Sequence, residues 1–296
     1  MRKNKHRKTR IRVKKLIFCI ITLLIILGVL ILGIGKSVSF ILAKIHDTDQ
    51  PLCYYLIIGT DETSGNEADS ILLSAWNAKD REITFLSIPP NTKLSRQEKT
   101  NQLIKSTFTE GGAEETRSAV ENLLHIRINK YAVLNYAEFQ RYIDKAGGLN
   151  LYVEKDMSHR DKNGEEDIAI RKGYQELDGT GTLGYVRFLD EKAGEIDRIQ
   201  RQERILKKLV ETMHDRFAIY NWIAARLIWS ASETDITPSE AASMAYAVTG
   251  YPPENFKYVI LPGEIQKINK VNTWVVNPVE VQKAIALTIG SGNNTY

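Results

Sequence analysis

Cysteine, histidine and the common nucleotide motifs are what this 296-residue chain has least of. Its two cysteines, Cys19 and Cys53, are too few for a disulfide framework: Cys19 sits inside a long apolar run, and Cys53 opens the first expected strand after it. Five histidines (His6, His46, His125, His159 and His214) show no metal-ligand spacing, which argues against a zinc site. No P-loop, no G-x-G-x-x-G and no G-x-S-x-G occurs, so the usual phosphate cradle, dinucleotide fingerprint and hydrolase elbow are excluded.

Acidic residues are missing from the N-terminus. Nine Lys or Arg lie between Arg2 and Lys15 with no Asp or Glu among them, and Leu16 to Gly35 follows without a charge. About 20 apolar residues is the length an α-helix needs to cross a bilayer, and basic flanks stay on the cytoplasmic side. The expectation is a cytoplasmic tail over 1–15, a transmembrane helix over 16–35, a stalk over 36–50 and an extracellular remainder. A cleaved secretory signal is the alternative. It is disfavoured by the length of the run and by the weak Ser37-Val38-Ser39 cleavage site.

The net charge of +4 comes from that tail. Removing its nine basic residues from 40 Lys and Arg leaves 31 against 36 Asp and Glu, so the remainder is mildly acidic and no nucleic-acid partner is expected. Any anionic ligand must be held by a local cluster of basic side chains. The tail reads as a topology signal that also attracts acidic lipid heads.

Beyond the stalk, periodicity predicts strands at Leu52–Ile58, Ile71–Trp76 and Ile83–Ile88, the last two as a hairpin. A helix follows at Ala113–Leu124, a strand at Tyr131–Leu134, a helix at Ala137–Lys145 and a strand at Leu149–Val153. Residues 157–172 read as an irregular surface excursion. Helices are expected near Leu177–Phe188, Ile196–Met213, Tyr220–Ser230, Pro238–Val248 and Pro278–Leu287, with a strand at Tyr258–Leu261. The fold class is therefore α/β: α-β-α layers around a mixed, partly antiparallel sheet. The expected domain runs over 51–214, with 215–296 as a C-terminal extension packed on it.

Four polar segments sit at the ends of these elements: Gly59-Thr60-Asp61-Glu62, Ala68-Asp69-Ser70, Ser87-Ile88-Pro89-Pro90-Asn91, and Tyr185-Val186-Arg187 with the helix start that carries Arg198, Arg201 and Gln202. The last three are three and four apart, on one side of a helix near its positive end. Arginine forks suit phosphate oxygens, and Asp61 with Asp69 could hold a Mg²⁺ ion. On spacing alone, a solvated helix face and ordinary turn aspartates are the commoner explanations.

In this order, from Tyr54 to Met213, the segments resemble the LytR-CpsA-Psr family of cell-envelope proteins. The resemblance rests also on Ala68-Asp69-Ser70-Ile71-Leu72-Leu73, Gly111-Gly112, Ala146-Gly147-Gly148-Leu149 and Leu177-Asp178-Gly179. It implies a membrane-anchored phosphotransferase outside the cell that moves a glycopolymer from undecaprenyl diphosphate onto peptidoglycan, with a polyprenyl groove and a Mg²⁺-assisted diphosphate site. Carried over residue by residue, Asp61 and Asp69 become the metal-side carboxylates and catalytic residues, one of them as base for the attacking hydroxyl, and Arg198 a catalytic arginine. Arg187, Arg198, Gln202 and Arg201 become diphosphate contacts. The family pattern is broken where Pro90 and Asn91 replace Arg-Asp, where Glu67, Thr63 and Leu189 replace arginines, and where Glu195 and Leu103 replace Asp and Lys. Glu67 could join Asp61 and Asp69 around the metal. A catalytically weakened carrier-binding or regulatory relative is the alternative function.

Overall fold

In the computed structural model, which describes residues 52–60, 66–94, 102–161, 163–190 and 194–288, strict alternation organises the first strand. In β1 (Leu52–Thr60), Leu52, Tyr54, Leu56 and Ile58 are buried while Tyr55 and Ile57 between them are half-buried. Successive strand side chains point to opposite faces, so one face of β1 is fully covered and the other is not. β2 (Ala68–Asn77) runs antiparallel beside it, pairing Leu73 with Leu56 and Ile71 with Ile58. β3 (Glu82–Ile88) returns antiparallel to β2. In the turn between them the Asn77 side chain accepts from the Asp80 amide.

α1 (Ser106–Leu124) is broken at Gly111 and Gly112; Gly112 takes φ 67° with ψ −153°, a conformation open to glycine. β4 (Lys130–Asn135) then lies parallel to β1 on its free side. α2 (Tyr136–Lys145) starts with a capping box, in which Asn135 and Glu138 each satisfy the other's backbone N–H. β5 (Leu149–Val153), β6 (Met157–Arg160), β7 (Glu166–Ile170) and β8 (Gly173–Leu177) follow, then α3 (Gly179–Arg187) and α4 (Gly194–His214). A Cβ on Gly179 would lie 2.4 Å from the Gln140 carbonyl oxygen, so only glycine allows α3 to start this close to α2.

The remainder comprises α5 (Ala218–Ile228), β9 (Glu233–Thr234), α6 (Pro238–Gly250), β10 (Phe256–Ile260), β11 (Gly263–Ile268), β12 (Val271–Val276) and α7 (Pro278–Thr288). The central sheet has the order β10-β3-β2-β1-β4-β9, with β10 parallel to β3 and β9 antiparallel to β4. α1 and α7 cover the face that carries Leu56, Ile58 and Leu73, with Val120, Leu124 and Val281 in the shared core. α4 and α6 cover the other face around Ile83, Phe85, Val210 and Val248. The mixed α/β sandwich expected from the sequence is therefore present.

Two expectations change. Residues 157–172 are not irregular: β6 and β7 pair as a hairpin, and Met157, Ile168 and Ile170 join a second core with Leu149, Leu151, Val153 and Leu183. Most of the other residues of these strands are polar or charged, and the strands are too short for the alternation to stand out. Residues 215–288 are not an appended layer either, because both sheet edges, β9 and β10, come from them.

All described residues belong to one unit, Gln50–Tyr296. Among them no helix is long and apolar enough to cross a membrane. The expected tail, span and stalk (1–50) lie outside the described residues, and so does Asp61.

Candidate functional site

The incompletely covered face of the sheet becomes a cavity. Ile57 of β1 and Leu72 of β2 form its floor; α2, α3 and α4 form its walls, enclosing about 470 Å³. The apolar lining is long: Phe139, Tyr142 and Ile143 from α2, Leu183 and Val186 from α3, and Ile205, Leu206 and Leu209 from α4. The polar lining includes Asp69 at the start of β2, Arg187 at the end of α3, and Arg198 and Gln202 in the first turns of α4. Sequence positions more than 100 apart thus meet at one cavity, and four of the expected site residues line it.

The charged groups are held by one another. The Arg198 Nη2 donates to Glu195 Oε1 at 2.5 Å and to the Asp69 carbonyl at 3.3 Å, and its Nε donates to Glu195 at 3.2 Å. Glu195 therefore fixes the Arg198 guanidinium from one turn earlier on the same helix. The Arg187 guanidinium lies 4.7 Å from the centre of the Tyr136 ring and 3.8 Å from Asp167. The Tyr136 hydroxyl donates to Asp69 Oδ2. One tyrosine thus touches both the carboxylate and an arginine of the site.

Tyr136 and Asp167 were missed by sequence reasoning. The signal for Tyr136 was present in the Asn135-x-x-Glu138 capping box, which makes residue 136 the first of the helix and aims it at the strand ends. Nothing marked Asp167, because its hairpin was not foreseen.

Arg201 is a correction. It does not line the cavity but is fully buried. Its Nη1 donates to Asp197 Oδ2 at 2.5 Å, its Nε to the Tyr185 carbonyl at 3.0 Å, and its Nη2 to the Phe188 carbonyl. Arg198 and Gln202 share a helix face, whereas Arg201 points about 100° away from Gln202. It ties α4 to the end of α3, setting where Arg187 and Arg198 stand without facing the cavity itself.

The substituted positions are also occupied structurally. Glu67 pairs with Lys105 at 2.7 Å, so it is committed to a lysine rather than gathered with Asp69. Pro90 is buried, and its carbonyl accepts from the Lys105 amide at 3.0 Å; the Asn91 carbonyl accepts from the Trp274 amide at 2.9 Å. This turn anchors the lead-in to α1 and the β11–β12 hairpin.

For a Mg²⁺ ion, the donor chemistry is suitable but sparse. Among the described residues no group of three or more His, Cys, Asp or Glu side chains could hold a metal. Magnesium at a phosphate substrate needs only one or two carboxylates, because the phosphates supply further oxygens. Asp69 meets that requirement.

Burial works against ionisation of Asp197, yet Lys155 and Arg201 together hold its carboxyl below the usual range; the His159 ring holds Asp167 low in the same way. Such groups add stability above their unfolded pKa, near 4, which disappears as pH falls through the lower folded value. Urea unfolding is expected to show stability level near neutrality and falling below about pH 4. Asp197→Asn should flatten that acid limb while lowering stability at pH 7.

Comparison with known proteins agrees with this architecture. The chain is 27% identical over 218 residues to the polyisoprenyl-teichoic acid–peptidoglycan teichoic acid transferase TagV of Bacillus subtilis, covering 71% of this chain and 56% of TagV. It spans about half the length of the relatives it matches. The crystal structure of B. subtilis TagV superimposes with a TM-score of 0.68 at 22% identity, over 82% of this chain and 98% of that one. A structure of the LytR-CPS2A-psr family protein YwtF (TagT) with bound octaprenyl pyrophosphate lipid has a TM-score of 0.61 at 19% identity, over 81% of this chain and 91% of that one. Both share the fold. The model of the LytR_cpsA_psr family matches residues 39–288, most of the chain, and the protein is accordingly a member of that family.

Proposed function

We infer that the protein is an extracytoplasmic phosphotransferase that takes a glycopolymer from a polyprenyl diphosphate carrier, of the undecaprenyl type, and attaches it to peptidoglycan. One observation carries the reading: two arginines, a glutamine and two carboxylates, Asp69 and the lysine-paired Glu203, line a cavity whose remaining lining is mostly apolar. A ligand with a doubly charged head and a hydrocarbon tail fits that division, and TagT is known with a polyprenyl pyrophosphate bound.

In the proposed reaction, an acceptor hydroxyl of peptidoglycan attacks the phosphorus that carries the glycopolymer. A new P–O ester bond forms, the bond from that phosphorus to the bridging oxygen breaks, and polyprenyl phosphate leaves. Arg187 and Arg198 stabilise the charge that builds on the phosphoryl and bridging oxygens. Their fixed neighbours, Tyr136 and Glu195, mean that little reorganisation is needed at that moment. Asp69 has one oxygen held by Tyr136, leaving the other to accept the hydroxyl proton or to hold Mg²⁺ with the diphosphate. Mg²⁺, when bound by Asp69 and Asp61, would neutralise diphosphate charge. The basic tail and apolar run of the first 35 residues support a single-pass anchor with the domain outside.

Glu67→Gln is expected to leave the Mg²⁺ dependence of the reaction unchanged, because Glu67 already serves Lys105. A shifted Mg²⁺ titration would place Glu67 at the metal.

A second reading, binding of the carrier without turnover, is favoured by Pro90 and Asn91, which stand where the family has Arg and Asp and are built into a turn. Incubating the full chain with a polyprenyl diphosphate-linked saccharide, peptidoglycan and Mg²⁺ separates the two. Release of polyprenyl phosphate identifies the transferase, and retained intact carrier identifies the binder.

A further inference from the structure

α5 is inside out for a helix in water. It carries one charged side chain, Arg226, and its only buried residue is Asn221, which donates to the Met213 carbonyl and the Thr249 hydroxyl. Trp222 and Ile228 are half-buried, but several large apolar side chains face outward. Phe217 at its N-cap, Tyr220, Ile223 and Leu227 are 84, 52, 46 and 78% exposed. Spacings of three, three and four put them on one strip. An exposed apolar strip of this length marks an interaction surface.

Continuity with the cavity says what covers it. Along α4 the lining changes from Arg198, Gln202 and Glu203 to Ile205, Leu206 and Leu209, so the apolar end of the cavity lies towards His214, where α4 ends just before α5. On the opposite wall, the cavity-lining Tyr142 stacks on Trp229 at the far end of α5, with ring centres 6.3 Å apart, and its hydroxyl accepts from the Ser230 amide. Both ends of α5 are thus tied to the walls of the apolar end. A cavity of about 470 Å³ suits a drug-sized ligand. A polyprenyl chain is much longer, so its tail continues outside.

Charge agrees. Arg216 and Arg226 flank the strip, and Arg216 donates to the Ala146 carbonyl at the end of α2, which brings the exposed Arg141 and Lys145 alongside. Of the nearby acids, Asp144 is occupied by the Gly179 amide, and the exposed Asp215 stands beside Arg216, leaving the basic residues in excess around the strip. Apolar side chains bordered by Arg and Lys are the pattern of a helix lying in the interface of an anionic bilayer.

Resting on the carrier-lipid function inferred above, we propose that the α5 strip is seated in an anionic phospholipid surface, so that the polyprenyl tail passes from bilayer to cavity without crossing water. The probe is a fluorophore at Leu227→Cys, or at the control Lys267→Cys on β11, in a full-length Cys19→Ser, Cys53→Ser background. Leu227 is mostly exposed, so the label leaves the core intact. The β11–β12 hairpin packs through Trp274 and Val276 on the opposite core.

In phosphatidylglycerol-containing vesicles with brominated lipid, quenching at 227 is expected to exceed that at 267 by roughly twofold or more, and Arg216→Glu with Arg226→Glu should reduce it. Equal quenching at both positions, with 227 open to aqueous iodide, would overturn the proposal. So would shielding of 227 from both quenchers together with energy transfer between copies, which identifies a second copy as the occupant. Carrier-lipid retention, read by mass spectrometry on the same protein, is a separate measurement. Lipid retained without bromolipid quenching removes only the α5 proposal; quenching without retained lipid removes only the carrier reading.

Discussion

Replacing Arg198 with alanine is expected to slow release of polyprenyl phosphate by about 10²–10³, the usual cost of one positioned donor at a developing oxyanion, while the carrier still binds. The two effects separate because Arg198 belongs to the charged part of the lining, whereas Leu72, Ile205, Leu206 and Leu209 form an apolar part, the one proposed to take the tail. Arg198→Lys should not restore the rate. A lysine offers a point charge, and the native fork is shared between Glu195 and the Asp69 carbonyl, which requires two directed donors. Single-turnover measurements with bound carrier check this directly. A lost rate with lost lipid retention would mean that Arg198 acts in holding the ligand, and an unchanged rate would remove it from the chemistry.

Arg201→Ala is expected to act on stability. Arg201 is fully buried and spends its donors on Asp197 and two carbonyls at the end of α3. Removing one partner of such a pair costs about 3–5 kcal/mol, with the lower end expected here because Asp197 keeps Lys155 at 3.0 Å. For a unit of this size that lowers Tm by about 10 °C. Replacing the pair together, as Arg201→Met with Asp197→Leu, should recover part of the loss, since no unpaired charge then remains. Loss of activity at unchanged Tm would instead return Arg201 to the diphosphate.

The contrast between these two arginines shows what sequence spacing conveys. Arg198, Arg201 and Gln202 look equivalent as a short helical cluster, and family resemblance groups them further. Only the packing of α4 on α3 decides that Arg201 turns inward. The strands β1 to β4 were legible because their runs of apolar and β-forming residues are compact and bounded by turn residues. β11 and β12 were not, since their two-residue turn is formed by Asn269 and Lys270, both at positive φ, without the glycine that normally signals it. The β6–β7 hairpin was hidden by its short strands, most of whose residues are polar or charged, and with it Asp167. The apolar character of Ile57 and Leu72 was plain in the chain, but not that the helices opposite stand far enough away to leave space above them.

The same distinction bears on the substituted positions. Glu67 and Pro90 read as losses when set against the family pattern. In the fold each has a local role, one beside Lys105 and the other in the turn after β3, so neither leaves an unsatisfied charge in the cavity. In the proposed reaction the phosphate-facing chemistry falls to Arg187, Arg198, Gln202 and Asp69, all of which line the cavity.

A crystal structure of the protein with a polyprenyl diphosphate tests the central claim most directly. Both phosphates are expected within hydrogen-bonding distance of Arg187 and Arg198, with the hydrocarbon running past Leu72 and Leu206 towards Leu209. A diphosphate bound elsewhere on the surface, or a tail lying against the arginines with the head at Leu209, would contradict it.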